Sequence, residues 1–320
     1  MAASVYFAEA FFMPLVALIV LAAGLAWGAV YARRGSLAIG AAALVVVAYV
    51  LGYNFWNQHV GPLPLTLDRV VLVGLVAAFV AQWRWGQLNP KRLSGSDWLL
   101  ASLLVILGVS TLYAGAPEVR APDGFSSTWR LVMSFVVPAV LYWIAREAPL
   151  THRAWQASLA ILAALGIYLA LTALAEVSGQ WSLVFPRYIA DPTLGIHFGR
   201  ARGPELNSAS LGVYLTVCLW CAWLLRPDVR RGWQLVLLVA MPLMALGIFA
   251  TYTRSTWIGL AASAAVVAYL QLSKKWRLPL FALATFGGLL VAAVTWQNVV
   301  GLQREGTASE SGHSVDQRKS

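Results

Sequence analysis

The chain has 320 residues, of which 60% are hydrophobic and 11% are charged, and its formal net charge is +10. Soluble proteins carry about 25% charged residues, and one soluble core of this size could not bury so much apolar surface. The composition therefore excludes a soluble enzyme, a secreted disulfide scaffold and a disordered chain. The basic residues occur in small groups between long apolar runs, which is typical of membrane-protein loops and not of a nucleic-acid-binding patch.

Apolar runs of about 20 residues, the length that crosses the hydrocarbon core of a bilayer, are the main feature of the sequence. Their hydrophobicity is continuous, which favours helices over the alternating strands of a barrel. We therefore predict an all-α, polytopic integral membrane protein with about ten transmembrane helices in a domain over residues 1–296. Residues 297–320 would begin an extracytoplasmic loop that we expect to be disordered. The predicted spans are 10–32, 36–53, 70–85, 97–114, 129–145, 155–175, 207–225, 233–251, 256–272 and 278–296.

The eighth and ninth spans require a turn between them. As one helix, residues 234–272 would extend about 58 Å at about 1.5 Å per residue, roughly twice the thickness of the hydrocarbon core. The polar break in this stretch is at residues 251–256. The sequence therefore predicts a tight hairpin that places Arg254 at a membrane surface.

The basic residues are distributed unevenly between the two sets of loops. One set carries 13 of the 23 basic residues and three of the 13 acidic residues. By the positive-inside rule, this set faces the cytoplasm. The loop at 176–206, the hairpin at 252–255 and the tail at 297–320 then lie outside. These three segments share one side in either orientation, so the longest internal loop and Arg254 can meet at one surface.

The sequence contains no pattern typical of a metal site or of a common nucleophile. It has no H-E-x-x-H, P-loop or G-x-S-x-G motif, and we predict no metal and no cofactor. Cys218 and Cys221 are spaced to share one helical face, where they are interpreted as small residues at a helix contact. Ionisable residues are nearly absent from the predicted spans, which argues against an ion-coupled carrier.

Three arginines lie in the loop at 176–206, next to the membrane: Arg187, Arg200 and Arg202. Arginine binds phosphate oxygens in a bidentate manner, as an anionic lipid-linked substrate would require. The alternative interpretation is arginines that snorkel to lipid headgroups. At the end of this loop, Gly203 and Pro204 predict a turn, and Asn207 predicts a helix N-cap.

Three short stretches follow one another in a recognisable order. In residues 200–211, arginine and glycine precede a predicted helix start that reads Pro-Glu-Leu-Asn-Ser-Ala-Ser-Leu. Residues 251–257 read Thr-Tyr-Thr-Arg-Ser-Thr-Trp. Residues 314–318 read Ser-Val-Asp-Gln-Arg. In order and spacing they resemble motifs of the O-antigen ligase and O-antigen polymerase superfamily of bacterial envelope proteins. The resemblance covers about residues 65–320. Thr253 stands where the family usually has serine.

The resemblance implies a metal-independent glycosyltransferase of the bacterial inner membrane, with its active face outside the cytoplasm, as in lipopolysaccharide biosynthesis. Such enzymes transfer a glycan from a polyprenyl diphosphate carrier to a sugar hydroxyl on a lipid or a growing polysaccharide. The implied partners are this donor, the acceptor and membrane lipids, with no nucleic acid. By motif position, the residues that would bind the diphosphate are Arg200, Arg202 and Arg254, supported by Asn207, Thr253, Ser255 and Arg318.

The resemblance also implies a catalytic histidine in a larger extracytoplasmic loop. His313 lies too early for that position and His197 lies in a different loop, so neither is assigned a catalytic role at this point. We accordingly expect the chain to lack that loop and to be incomplete as an enzyme. Two alternatives stay open, a lipid-linked oligosaccharide flippase with an arginine-lined cavity and a non-catalytic membrane scaffold.

Overall fold

A computed structural model describes residues 28–60, 63–89, 91–113 and 127–271. The predicted tenth span, the tail at 297–320 with Arg318, and most of the predicted first span lie outside these residues. The described chain is mostly helical, as predicted. In chain order its elements are α1 (Leu37–Val50), β1 (Asn57–Val60), β2 (Leu63–Thr66), α2 (Leu67–Arg84), α3 (Gly95–Tyr113), α4 (Ser127–Leu131), α5 (Val137–Glu147), α6 (His152–Val177), α7 (Ser208–Leu225), α8 (Arg231–Ala250) and α9 (Arg254–Gln271).

The predicted spans between residues 36 and 272 each coincide with a helical segment. Within the described ranges, five segments are long and apolar enough to cross a membrane, which supports a multi-pass membrane protein, whereas the number ten is not confirmed. α1 has only 14 residues, and α2 and α9 carry polar residues at both ends. The five segments are Gly95–Tyr113, Ser127–Glu147, His152–Val177, Ser208–Asp228 and Arg231–Ala250.

A short β-hairpin is the element that the sequence analysis did not predict. β1 and β2 pair antiparallel with Asn57 opposite Thr66, and each strand has four residues. A search for apolar runs of membrane-spanning length cannot detect strands this short. They form a local connection between α1 and α2.

The helical segment from 127 to 147 is interrupted by one turn of π-helix at Val132–Val136. Pro138, in the first turn of α5, has no amide hydrogen to donate to a carbonyl one turn earlier. A π-turn before the proline accommodates this missing hydrogen bond.

The chain divides into two compact units, residues 1–48 with 56–158 and residues 49–55 with 159–320. In the first unit, the buried carboxylate of Asp97 joins the start of α3 to the end of α5. It accepts hydrogen bonds from the Ser94 amide at 2.5 Å, the Ser94 hydroxyl at 2.7 Å and the Tyr142 hydroxyl at 3.1 Å. The Arg146 guanidinium lies 2.8 Å away. This network provides polar partners for a charge at the end of an apolar helix.

In the second unit, small residues allow α7 to approach its neighbours closely. A Cβ atom at Gly166 of α6 would lie 2.5 Å from the Cβ of Cys218, and one at Gly212 of α7 would lie 2.6 Å from the Cγ2 of Thr256 in α9. Cys218 and Cys221 are buried, free thiols, and the contact with Gly166 confirms that Cys218 packs as a small residue between helices. The contact at Gly212 brings together the first turns of α7 and α9.

We predict that Gly212→Ala destabilises the second unit. The added methyl group would overlap the Thr256 side chain, and overpacking of this kind costs about 1–3 kcal/mol. Thermal unfolding in detergent micelles should give a lower Tm than the unsubstituted chain has.

Gly259→Ala in α9 is the matched control, because a Cβ atom there would meet nothing within 4 Å. Alanine is a better helix former than glycine by about 0.5–1 kcal/mol, so this variant should keep or slightly raise the Tm. Equal melting of the two variants would contradict the close approach of α7 and α9.

Candidate functional site

The loop between α6 and α7 is fixed at its end by the buried carboxylate of Glu176, in the last turn of α6. This carboxylate accepts the backbone amide of Arg202 at 3.1 Å and that of Gly203 at 2.9 Å. Gly203 adopts a positive φ of 61°, a conformation in which glycine has no steric cost. The chain can therefore turn at Gly203 and present both amides to the same side chain.

The guanidinium of Arg202 is completely buried inside this loop, where it lies 4.7 Å from the centre of the Phe198 ring. Burial lowers the pKa of Arg202, and the nearby Glu176 and Asp191 carboxylates oppose that shift. In this geometry Arg202 organises the loop, because its terminal nitrogens are directed at the loop backbone. They donate hydrogen bonds to the carbonyls of Ile189, Asp191 and Leu194.

A second set of contacts shapes the middle of the loop. The Asp191 carboxylate accepts hydrogen bonds from the amide and hydroxyl of Thr193 at 2.8 and 2.7 Å, and these hold the pKa of Asp191 below its usual value. The Tyr188 hydroxyl donates to the carbonyl of Pro204 at 2.9 Å, and burial raises the pKa of Tyr188. The Tyr188 side chain therefore joins the middle of the loop to the backbone near its end.

Arg200 lies beside the point where the loop is joined to the end of α8. The amide of Ala201 donates to the carbonyl of Ala250 at 3.1 Å, and Ala250 is the last residue of α8, just before the turn that leads to Arg254. Arg200 is half-buried and Arg254 is exposed. This hydrogen bond joins the longest internal loop to the end of α8, next to the hairpin that carries Arg254, and the meeting of the loop with Arg254 itself stays a prediction.

The turn between α8 and α9 has three residues, which confirms the predicted tight hairpin. The buried Thr251 donates from Oγ1 to the carbonyl of Ile248 at 2.7 Å and accepts the amide of Thr253 at 3.3 Å. The Thr253 hydroxyl donates to the carbonyl of Thr251 at 3.1 Å. Thr253 thus supplies a hydroxyl within the turn, as serine would, and Ser255 is exposed in the first turn of α9.

Asn207 caps the N-terminus of α7, as predicted. Its side-chain oxygen accepts the amide of Ala209 at 3.0 Å and that of Ser210 at 3.5 Å. Because α9 begins at Arg254 and its first turn packs on α7 at Gly212, two helix N-termini lie near each other. Both N-termini carry partial positive charge.

Three non-glycine residues in these segments have left-handed backbone conformations. They are His197 with φ of 66°, Leu206 with φ of 55° and Tyr252 with φ of 49°. Such conformations are unfavourable for residues with a side chain, and they persist where the surrounding structure enforces them. Their presence in the loop and in the hairpin indicates that both backbones are held in a specific shape.

Sequence reasoning missed two residues that contribute to this geometry. His197 was set aside, yet its Nδ1 lies 3.0 Å from the Oγ of Ser208, a buried serine at the start of α7. Glu176, at the end of the predicted span that precedes the loop, was assigned no role. No spacing rule links either residue to its partner, because both contacts depend on how the loop folds back between its two helices.

Among the described residues, no group of three or more His, Cys, Asp or Glu side chains could hold a metal ion. Comparison with protein-family models, with curated proteins and with solved structures finds nothing that matches this chain.

We predict that Glu176→Gln loosens the loop. A glutamine side chain has one acceptor oxygen, so one of the two amides loses its partner, and a hydrogen bond to a charged group contributes about 1.5–3 kcal/mol. Backbone hydrogen exchange in the peptide that contains Arg202 and Gly203 should become about 10–100-fold faster, as measured by mass spectrometry.

Glu205→Gln is the matched control, because Glu205 lies in the same loop, is exposed and accepts its hydrogen bond from the Ser210 hydroxyl. Exchange at the Arg202 and Gly203 amides should be unchanged in this variant. If Glu176→Gln left exchange at these two amides unchanged, Glu176 would not be the residue that fixes the loop.

Proposed function

We propose that this chain is a membrane glycosyltransferase of the O-antigen ligase and polymerase type. It would transfer a glycan from a polyprenyl diphosphate carrier to a sugar hydroxyl on a lipid or a growing polysaccharide, at the extracytoplasmic face of a bacterial inner membrane. The observation that carries the proposal is the hydrogen bond from Ala201 to Ala250. It joins the segment of Arg200 to the turn that precedes Arg254.

In this proposal, Arg200 and Arg254 bind the diphosphate of the donor. Both side chains are at least partly accessible, and each guanidinium can donate two parallel hydrogen bonds to phosphate oxygens. The N-termini of α7 and α9 add partial positive charge at the same surface. Arg202, which the resemblance places with these ligands, is here proposed to act indirectly, because its hydrogen bonds fix the loop that presents Arg200.

The proposed reaction is the transfer of the glycan from the diphosphate carrier to the acceptor hydroxyl. The acceptor hydroxyl oxygen forms a bond to the anomeric carbon of the glycan, while the bond from that carbon to the diphosphate oxygen breaks. The electron pair of the broken bond stays on the diphosphate, whose growing negative charge is stabilised by fixed arginines without reorganisation. The acceptor proton passes to a general base.

His197 is the proposed acceptor of that proton. It is the histidine of the loop at 176–206, three residues before Arg200, and imidazole suits this role near neutral pH. The contact of Nδ1 with Ser208 gives the ring a defined orientation. The larger-loop histidine implied by the family resemblance is the competing assignment for this step.

We predict that Arg254→Ala abolishes glycan transfer. Loss of a group that stabilises the leaving charge should lower turnover by about 100–1000-fold, and Arg254→Lys should restore only part of it, because lysine cannot bind in a bidentate manner. Transfer is measured by complementing a bacterial strain that lacks its O-antigen ligase or polymerase with the complete reading frame and separating the glycans by electrophoresis.

Arg230→Ala is the matched control, because this exposed arginine precedes α8 at the end opposite the hairpin. It should leave transfer unchanged. Normal glycan transfer by Arg254→Ala would overturn the site assignment. Translocation of the lipid-linked glycan across vesicles without any transfer would favour a flippase instead.

A further inference from the structure

Five apolar side chains on the loop between α6 and α7 are exposed, and we call them the apolar platform. The exposed fractions are 69% for Leu183, 52% for Phe185 and 54% for Ile196, and Leu194 and Phe198 are also exposed. Water-exposed apolar clusters of this kind in a folded protein usually mark a surface that is covered in the functional state.

The apolar platform is held rigidly, although its side chains are exposed. The Phe198 ring stacks on Trp181 with a centroid distance of 5.3 Å and an interplanar angle of 11°. Its other neighbour is the Arg202 guanidinium at 4.7 Å, and the Tyr168 hydroxyl donates to the carbonyl of Phe185. The loop therefore presents these side chains outward instead of collapsing to bury them.

The position of the loop indicates what covers the apolar platform. The loop leaves α6 at Val177 and enters α7 at Ser208, and both helices are long and apolar enough to span a membrane. Its two ends therefore emerge at the boundary of a bilayer. Aromatic side chains with apolar bodies are typical of this boundary, and Trp181 and Phe185 fit that pattern.

The charges of the loop match the same location. Arg187 is exposed and donates from its guanidinium to the carbonyl of Trp181 at 3.1 Å, so a cation flanks the apolar platform directly. Arginines beside buried apolar side chains reach the phosphate layer of a leaflet. An apolar face bordered by cations is typical of segments that lie in the plane of a membrane.

We propose that the apolar platform inserts into the phospholipid leaflet that adjoins the ends of α6 and α7. Leu183, Phe185 and Ile196 would lie at the boundary between headgroups and acyl chains, and Arg187 would lie among the phosphates. This proposal does not depend on the glycosyltransferase assignment. If both hold, Arg200 is placed at headgroup depth, where a lipid-linked diphosphate is found.

The experiment measures the depth of two positions on the apolar platform. Leu183→Cys and Ile196→Cys are labelled with a water-soluble, environment-sensitive fluorophore, and the full chain is reconstituted in vesicles of phosphatidylcholine and phosphatidylglycerol. Two quenchers of the fluorophore are compared. One is a nitroxide that the lipids carry near the top of the acyl chain, and the other is iodide dissolved in the water. The unsubstituted chain, whose Cys218 and Cys221 are buried, gives the background labelling.

Two control positions define the limits of the measurement. Val239→Cys, exposed on the spanning helix α8, reports full contact with lipid, and Asp228→Cys, exposed in the loop before α8, reports full contact with water. At Leu183 and Ile196 we expect clear quenching by the shallow nitroxide and iodide quenching roughly threefold or more below that at Asp228.

The proposal is overturned if iodide quenches Leu183 and Ile196 as strongly as Asp228 while the lipid nitroxide does not. It is also overturned if neither quencher acts and the protection rises with protein density in the vesicles, because a second copy of the chain would then cover the apolar platform. Since both substituted side chains are exposed, the variants should fold, and an unchanged Tm verifies this.

Discussion

The candidate site depends on two buried charges, the carboxylate of Glu176 and the guanidinium of Arg202. Removing such groups from water costs several kcal/mol per ion, and that cost is offset only when their hydrogen-bonding capacity is largely used. Glu176 receives two backbone amides, and Arg202 donates to three backbone carbonyls. The polar requirements of these loop amides and carbonyls and of the two side chains are thus largely met by each other, although the Nε of Arg202 is buried without a hydrogen-bond partner.

The remaining features of the site follow from these hydrogen bonds between the two buried side chains and the loop backbone. Because Arg202 lies inside the loop, the Phe198 ring is held between the Arg202 guanidinium and the Trp181 ring. With the Arg202 and Gly203 amides held by Glu176, the adjacent Ala201 amide is placed to reach the end of α8. The segment that carries the accessible Arg200 is therefore positioned by a buried arginine.

The sequence predicted the features that depend on local physics. Long apolar runs indicated helices, the polar break at 251–256 indicated the hairpin, and Asn207 before an apolar run indicated an N-cap. It could not predict the direction of the Arg202 side chain. An arginine in a loop near a membrane has the same local signature whether it binds a phosphate or its own backbone, and only the positions of Ile189, Asp191 and Leu194 decide between them.

The number of spans stays unconfirmed, and the role of Glu176 was missed, for a related reason. Hydropathy measures composition, so it treats a helix of 14 residues such as α1 as equivalent to a span. It likewise treats a carboxylate at a helix end as a boundary marker. In the structure that carboxylate is a tertiary contact that joins the end of α6 to the residue 26 positions later.

The separation of 26 residues between Glu176 and Arg202 affects when their contact can form during synthesis and membrane insertion. Glu176 leaves the insertion machinery with α6, whereas the amides it binds precede α7. The amides of Arg202 and Gly203 reach the Glu176 carboxylate only when the chain has folded back upon the end of α6. Because Ala201 also bonds to the end of α8, the loop can adopt its final shape only after α8 has been inserted, so protection of this segment from protease would mark that step.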